Sequence, residues 1–293
     1  MNYDERISFG YADLGSVKLH YATAGSGERL VILLHGFPEF WYSWRHQIVG
    51  LSDRYTVVAP DMRGYNLSDK PSNKSDYEIE KLVGDIVGLI KHFGRENAAV
   101  IGHDWGASVA WALASKRPDV IWKLGALQVP PIPIWKRNQT AAQFLASWYM
   151  FFFQLPSLPE FRLRQSNFGP LARAICESTA KPGVFSDEEI GEYRKAWGRE
   201  FAITAMLNYY RANIVKRIFG KSSGLTKIAI PTLFIYGEKD RAVVPQTVEG
   251  IGDMIDAPFT EHRIAESGHW VQQESRDEVT EVIGRFLDGE QIF

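Results

Sequence analysis

The chain has 293 residues, and its 33 basic and 35 acidic side chains give a formal net charge of −2. This near balance excludes a strongly basic nucleic-acid-binding protein, because attraction to phosphates requires a clear excess of lysine and arginine. Apolar residues make up 45% and charged residues 23%, which are the proportions of a folded globular protein. The single cysteine, Cys176, excludes an internal disulfide and a thiolate zinc site.

The first 128 residues alternate between strand-like and helix-like patterns. Strands are indicated by an alternating pattern at 17–21 and by continuous apolar runs at 30–34, 55–59 and 98–101. Apolar residues at helical spacing predict a helix over 79–93, with Asp76 as its cap and Gly94 at its end. A second helix is predicted over 105–116, ended by Pro118.

The middle of the chain has a different pattern. After three prolines at 130, 131 and 133, the chain is helix-like without a good strand to about residue 224. Alternation then resumes, with strands predicted at 231–236 and 259–264 and helices at 246–254 and 275–287. We therefore predict an α/β fold: a mostly parallel central sheet flanked by helices, formed by residues 1–128 and 225–293, with a helical cap over 129–224 inserted between core strands.

Nothing in the sequence predicts export or membrane insertion. Residues 1–10 carry three charges and no apolar run, and the longest apolar stretch, 148–153, is too short to span a bilayer. We therefore expect a cytoplasmic protein with no membrane or nucleic-acid partner. The oligomeric state is left open.

The segment Gly102-His103-Asp104-Trp105-Gly106 places a polar residue between two glycines where a strand turns into a helix. That arrangement is typical of the nucleophile elbow of α/β-hydrolases, here with Asp104 in place of serine. Taken alone, the segment fits equally well with an Asp104 that only caps the following helix. If Asp104 is instead a nucleophile, two backbone N–H groups would form its oxyanion hole. Phe37, in the loop after the strand at 30–34, would supply one and Trp105 the other, with His35 as a structural residue.

Two further residues fit the same scheme. Asp240 follows the strand predicted at 231–236, and His269 follows the strand predicted at 259–264. The chain order nucleophile, acid, base is the order that this fold uses. Order and context together predict a catalytic triad of Asp104, Asp240 and His269.

With these motifs, and with His35-Gly36-Phe37-Pro38-Glu39 and Asp61-Met62-Arg63-Gly64-Tyr65, the sequence resembles the α/β-hydrolase superfamily over nearly its whole length. Within that superfamily it is similar to the soluble-type epoxide hydrolases. The resemblance implies two acid-donating tyrosines on the cap. One lies five positions before the glutamine of a Phe-Gln pair, here Tyr149, and the other lies in a Leu-Asn-aromatic-Tyr-Arg segment, here Tyr210.

An aspartate is an anion at neutral pH and can attack an electrophilic carbon without a base. We therefore expect an epoxide hydrolase that opens an apolar or aryl epoxide to a vicinal diol through an Asp104 ester, which water activated by His269 then hydrolyses. Its partners would be a small-molecule epoxide and water, with no metal and no cofactor. Two alternatives remain: a haloalkane or haloacid dehalogenase, with Trp105 and a second indole such as Trp135 or Trp148 binding the halide, and a non-catalytic ligand receptor.

Aromatic residues near these motifs are expected to line the substrate pocket, although packing between cap and sheet explains them equally well. The candidates are Phe40, Trp41, Trp105, Trp148, Phe152 and Trp270. Glu39 follows the oxyanion loop, and it either orients the hydrolytic water or is a surface charge.

Overall fold

The computed structural model describes residues 4–219 and 226–291, and these residues form an eight-stranded sheet with the strand order β1-β2-β4-β3-β5-β6-β7-β8. β1 pairs antiparallel with β2, and β2 antiparallel with β4, whereas every later pairing is parallel. The strands are β1 (Ser8–Asp13), β2 (Lys18–Ala24), β3 (Leu30–Leu34), β4 (Thr56–Pro60), β5 (Ala98–His103), β6 (Ile121–Leu127), β7 (Thr232–Gly237) and β8 (Phe259–Ile264).

The central strands are buried along their whole length. Every residue of β3, β5 and β7 is buried, as expected for parallel strands covered by helices on both faces. The continuous apolar runs in the sequence have the same cause, and the predicted mostly parallel sheet is confirmed. The carboxyl ends of these strands meet at one edge of the sheet, where sites in open α/β folds lie.

Helices flank the sheet and fill the insertion between β6 and β7. The core helices are α1 (Arg45–Leu51), α2 (Ile79–His92), α3 (Trp105–Lys116), α10 (Val271–Glu274) and α11 (Arg276–Asp288). The insertion contains α4 (Ile132–Arg137), α5 (Ala141–Ala146), α6 (Trp148–Phe152), α7 (Leu158–Glu177, interrupted at 165–168), α8 (Asp187–Trp197) and α9 (Ala202–Phe219). None of the helices in the described ranges is long and apolar enough to cross a membrane. The cytoplasmic location stays a prediction.

Side chains of the insertion bind the loops of the core. The Trp197 indole donates to the carbonyl of Pro38 at 2.6 Å, and the Tyr209 hydroxyl donates to the carbonyl of Arg63 at 2.7 Å. These contacts tie α8 and α9 to the loops that follow β3 and β4. The division at 128/129 and 224/225 stays a prediction, and its second boundary lies outside the described residues.

Two predictions of local structure need correction, and one strand was missed. Asp76 does not cap α2, because it lies in a separate 3-10 helix, Lys74–Tyr77, and Glu78 takes the position before the first helical residue. Residues 246–254 are not one helix but two 3-10 helices, Pro245–Val248 and Ile251–Met254, separated at Gly250 with φ of 70°. The edge strand β1 was not predicted, since only Ala12 of its six residues is buried and no apolar pattern marks it.

Candidate active site

Asp104 lies in a sharp turn between β5 and α3. Its backbone has φ of 51° and ψ of −113°, a conformation that L-residues rarely adopt and that is common at functional sites. Gly102 and Gly106 permit this turn, because a Cβ on either residue would collide with backbone atoms. The Asp104 side chain makes no capping hydrogen bond to α3, so the capping alternative does not describe it.

The two carboxylate oxygens of Asp104 face different groups. The Phe37 N–H donates to Oδ1 at 2.8 Å. Oδ2 lies 3.9 Å from Nε2 of His269, too far for a direct hydrogen bond and close enough for one water to contact both. Trp105 is the first residue of α3, where a backbone N–H has no acceptor within its own helix. One oxygen is therefore held by an amide, while the other faces a base.

His269 and Asp240 form a buried pair. Nδ1 of His269 lies 2.8 Å from Oδ2 of Asp240, whose Oδ1 accepts hydrogen bonds from the N–H groups of Ala242 and Val243. Burial lowers the pKa of His269, but the nearby carboxylates of Asp240, Asp104 and Glu39 outweigh burial and raise it to about 9. The structure thus brings the three predicted triad residues together.

Gln128 is a fourth polar residue at this site, and the sequence analysis missed it. It is fully buried at the end of β6, with φ of 68°. Its Nε2 donates to Oδ2 of Asp240 and to the carbonyl of Gly268, both at 2.8 Å, and its Oε1 accepts from the N–H of Gly237 at 2.7 Å. One side chain therefore connects the loop carrying Asp240 with the loop carrying His269.

We expect Gln128→Leu to lower both the stability and the activity of the enzyme. Leucine leaves the Gly237 N–H and the Gly268 carbonyl buried without partners, which costs about 1–3 kcal/mol of unfolding free energy for each group. We expect kcat to fall about tenfold because Asp240 loses a hydrogen bond that orients it. The matched control is Gln47→Leu, a buried glutamine bound to Gln272 and Thr280. Denaturation and steady-state kinetics of both variants test this, and an equal loss of kcat in the control would refute the positioning role.

Glu39 and His103 form a second buried pair beneath the triad. His103 Nδ1 lies 2.8 Å from Glu39 Oε2, and its Nε2 lies 2.8 Å from the carbonyl oxygen of His269. Both ring nitrogens of His103 therefore face an oxygen acceptor. Burial raises the pKa of Glu39, but its interactions with His103 and with the N–H of Gly36 outweigh burial and hold that pKa below its ordinary value. Because Glu39 is buried, it is not a surface charge.

Two of the predicted triad residues line a small cavity, which we call the catalytic cavity. Asp104, His269, Tyr149 and Tyr210 all line it, and its volume is about 20 Å³. The remaining lining is mostly apolar and comprises Trp105, Ser108, Val129, Trp135, Met150, Ile214, Ala242 and Val243. Within residues 4–219 and 226–291, no three or more His, Cys, Asp or Glu side chains are grouped so that they could hold a metal ion.

Both predicted cap tyrosines lie in this cavity. The Tyr210 ring packs at right angles to the Trp105 ring, with centroids 5.2 Å apart, and the Tyr149 ring centroid lies 6.0 Å from that of Tyr210. Burial raises the pKa of Tyr210 well above its ordinary value, and the nearby Tyr149 and Asp104 raise it further. The Tyr210 hydroxyl therefore keeps its proton at neutral pH and can donate it.

Of the six aromatic residues expected in the pocket, Trp105 lines the catalytic cavity and the other five lie elsewhere. Phe40 and Trp41 are buried in the core. The Trp270 ring packs against His269 and its indole donates to Ser178, whereas Trp148 is 63% exposed and packs against Phe152. Proximity in sequence does not fix the direction of a side chain, which is why the prediction is corrected for these five.

Comparisons with known proteins identify the fold and the family of the chain. A family model described as alpha/beta hydrolase fold matches residues 29–275. The AB hydrolase superfamily protein YfhM of Bacillus subtilis is 40% identical over 287 residues, covering 94% of this chain and 96% of that protein. Epoxide hydrolase 1 of Caenorhabditis elegans is 36% identical over 289 residues, covering 95% of this chain and 70% of that protein.

A solved structure is similar as well. The epoxide hydrolase of Bacillus megaterium in complex with an inhibitor superposes with a TM-score of 0.84 at 31% identity, covering 95% of this chain and all of that chain. The sheet, the elbow and the inserted helices define an enzyme of the α/β-hydrolase fold. Within that fold, the chain belongs to the epoxide hydrolase family.

Proposed function

We propose that the protein opens an apolar or aryl epoxide to a vicinal diol through a covalent Asp104 ester. The observation that carries the proposal is the content of the catalytic cavity. An aspartate held at one oxygen, a histidine beside its other oxygen, and two phenols all face the same small space, and Asp240 binds the far side of that histidine. Relatives covering most of the chain are named epoxide hydrolases.

In the first half-reaction, Oδ2 of Asp104 attacks a ring carbon of the epoxide. The bond between that carbon and the ring oxygen breaks, and the oxygen takes a proton from Tyr210 or Tyr149. Oδ1 remains the ester carbonyl oxygen, because the Phe37 N–H already binds it. The product of this step is a hydroxyalkyl ester of Asp104.

In the second half-reaction, Nε2 of His269 takes a proton from water, and the resulting hydroxide attacks Cγ of Asp104. Negative charge develops on Oδ1, where the N–H groups of Phe37 and Trp105 stabilise it. Collapse of this intermediate breaks the ester C–O bond. The leaving diol oxygen takes the proton from His269. The proton that remains on the new Asp104 carboxyl returns to the tyrosinate formed in the first half-reaction, so the carboxylate, the imidazole and the phenol are all restored.

Incubation with styrene oxide and, separately, with 1-bromobutane tests the proposed function. We expect diol from the first and no bromide from the second. A dehalogenase has one observation in its favour, since both Trp105 and Trp135 line the catalytic cavity and indole N–H groups can bind halide. Bromide without diol would therefore establish that alternative, and tight epoxide binding without either product would establish the receptor.

We expect Tyr210→Phe to reduce kcat by about 10-fold to 100-fold, because Tyr149 still provides a phenol. The double variant with Tyr149→Phe should lose about 10⁴-fold, since no acid then faces the leaving oxygen. Tyr209→Phe is the matched control: it is the neighbouring residue on α9, and its hydroxyl binds the Arg63 carbonyl instead. Initial rates of diol formation decide the point. Unchanged rates in the double variant would refute the acid role.

We also expect the pKa of His269 to differ between the free enzyme and the Asp104 ester. In the free enzyme the Asp104 carboxylate helps raise that pKa to about 9. Esterification removes this negative charge, so the pKa in the ester should be lower than in the free enzyme. Because neutral His269 is the base, the rate of ester hydrolysis should fall as pH drops through the lower value. Stopped-flow ester breakdown compared with NMR titration of the free enzyme tests this, and identical midpoints would contradict it.

A further inference from the structure

The cap carries an unusual concentration of exposed apolar side chains. Of the eleven large hydrophobic residues that are exposed within the described ranges, seven lie between residues 144 and 161. We call these seven the apolar cap surface. They are Phe144, Leu145, Trp148, Phe151, Leu155, Leu158 and Phe161. Scattered single apolar residues on a surface are normal, whereas seven within one stretch of the cap, with the Phe144 and Phe151 ring centroids 5.6 Å apart, indicate a binding surface.

The apolar cap surface adjoins a pocket that borders the catalytic cavity. This outer pocket has a volume of about 320 Å³, and Phe144 and Phe151 line it. Trp135, Met150 and Ile214 line both the outer pocket and the catalytic cavity, so they form the wall between them. Whatever covers the apolar cap surface therefore lies beside the outer pocket.

The charged residues in the same stretch of the chain as the apolar cap surface are mostly positive. Between residues 140 and 173 the chain has three arginines and one acidic residue, although its net charge is −2. That acidic residue, Glu160, is bound by Arg211 at 2.6 Å and 3.0 Å. Arg162 and Arg164 lie in the first turns of α7 and are exposed. Exposed Trp, Phe and Leu flanked by cations match the interface of an anionic lipid layer.

We propose that the cap docks onto an anionic lipid surface through the apolar cap surface, in contrast to the expectation from the sequence that the protein has no membrane partner. A second copy of the chain fits less well, because a two-fold contact there would bring the arginines of both copies together. It would also cover the surface beside the outer pocket. The docked orientation presents the outer pocket to the lipid. Epoxides dissolved in the lipid would then reach the catalytic cavity through the outer pocket, an inference that rests on the proposed function.

Vesicle co-sedimentation of the full chain tests the docking. We compare vesicles of phosphatidylcholine alone with vesicles that also contain phosphatidylglycerol. The test variant is Leu145→Ser with Phe161→Ser, at positions that are 70% and 65% exposed and do not line the outer pocket or the catalytic cavity. The control is Phe201→Ser, which is 61% exposed and outside the apolar cap surface.

We expect the wild type and the control to sediment with the phosphatidylglycerol vesicles, and the test variant to lose about tenfold or more in apparent affinity. Failure of the wild type to bind these vesicles, or equal binding by the test variant, would overturn the proposal. A wild-type dimer that the two substitutions convert to a monomer would also overturn it and assign the surface to a second copy. Diol formation from a water-soluble epoxide is measured in parallel, and vesicle binding without diol would leave the docking intact and refute the proposed function, on which the entry route rests.

Discussion

Replacing His269 by glutamine is expected to stop the enzyme after one round and leave an ester on Asp104. Glutamine cannot take a proton from water, so ester hydrolysis should slow by about 10²–10⁴-fold, while attack by Asp104 continues. Intact-protein mass spectrometry after mixing with epoxide should show a gain equal to the whole substrate, because ring opening loses no atoms. His262→Gln, whose ring contacts Glu278, is the control and should show no gain.

The mass also separates the two candidate reactions. A dehalogenation ester would weigh the substrate less its halide. If His269→Gln turned over substrate at the wild-type rate, the two-step scheme would be contradicted, because the second step would need no base at this position.

Replacing Asp104 by alanine should abolish both the ester and the turnover. We expect a loss of at least about 10⁴-fold in kcat, in line with the removal of other covalent nucleophiles. The exposed Asp119, which pairs with Arg117, gives a matched control through Asp119→Ala. Thermal unfolding of both variants checks that the fold is kept.

An isotope experiment on the wild type distinguishes this role from simple electrostatic support. With enzyme in excess over epoxide in heavy-oxygen water, the first turnover should yield unlabelled diol, because the added oxygen comes from Oδ2 of Asp104. The label should appear in the peptide containing residue 104. Label in the diol of the first turnover would show direct attack by water and would refute the nucleophile.

The three predicted triad residues could be found from the sequence because each of them follows a strand. The strands β3 and β8 and the helix α3 have the predicted bounds, and the strand ends carry the triad in the expected chain order. Tyr149 and Tyr210 were found by their resemblance to a family motif. No periodic pattern would have singled them out in a cap that contains so many aromatic residues.

Other parts of the site could not be predicted, because they depend on where side chains point in the folded protein and not on the order of residues along the chain. Phe40 and Trp270 are close to the motifs in sequence, yet one packs in the core and the other behind His269. Gln128 was missed for a similar reason, since a single glutamine after a strand has no distinguishing spacing. Its importance comes from contacts with residues more than a hundred positions away. The pair of 3-10 helices at 245–254 likewise follows from the left-handed Gly250, which no apolar pattern reveals.

The insertion of the cap between β6 and β7 separates two kinds of chemistry along the chain. Under the proposed roles, the ester is made and hydrolysed by residues of the core, namely Phe37, Asp104, Asp240 and His269. The proton for the leaving oxygen comes only from α6 and α9. During evolution, substitutions confined to one continuous segment of the gene, the cap, could therefore change which leaving group the enzyme accepts. The core residues that hydrolyse the ester would stay unchanged.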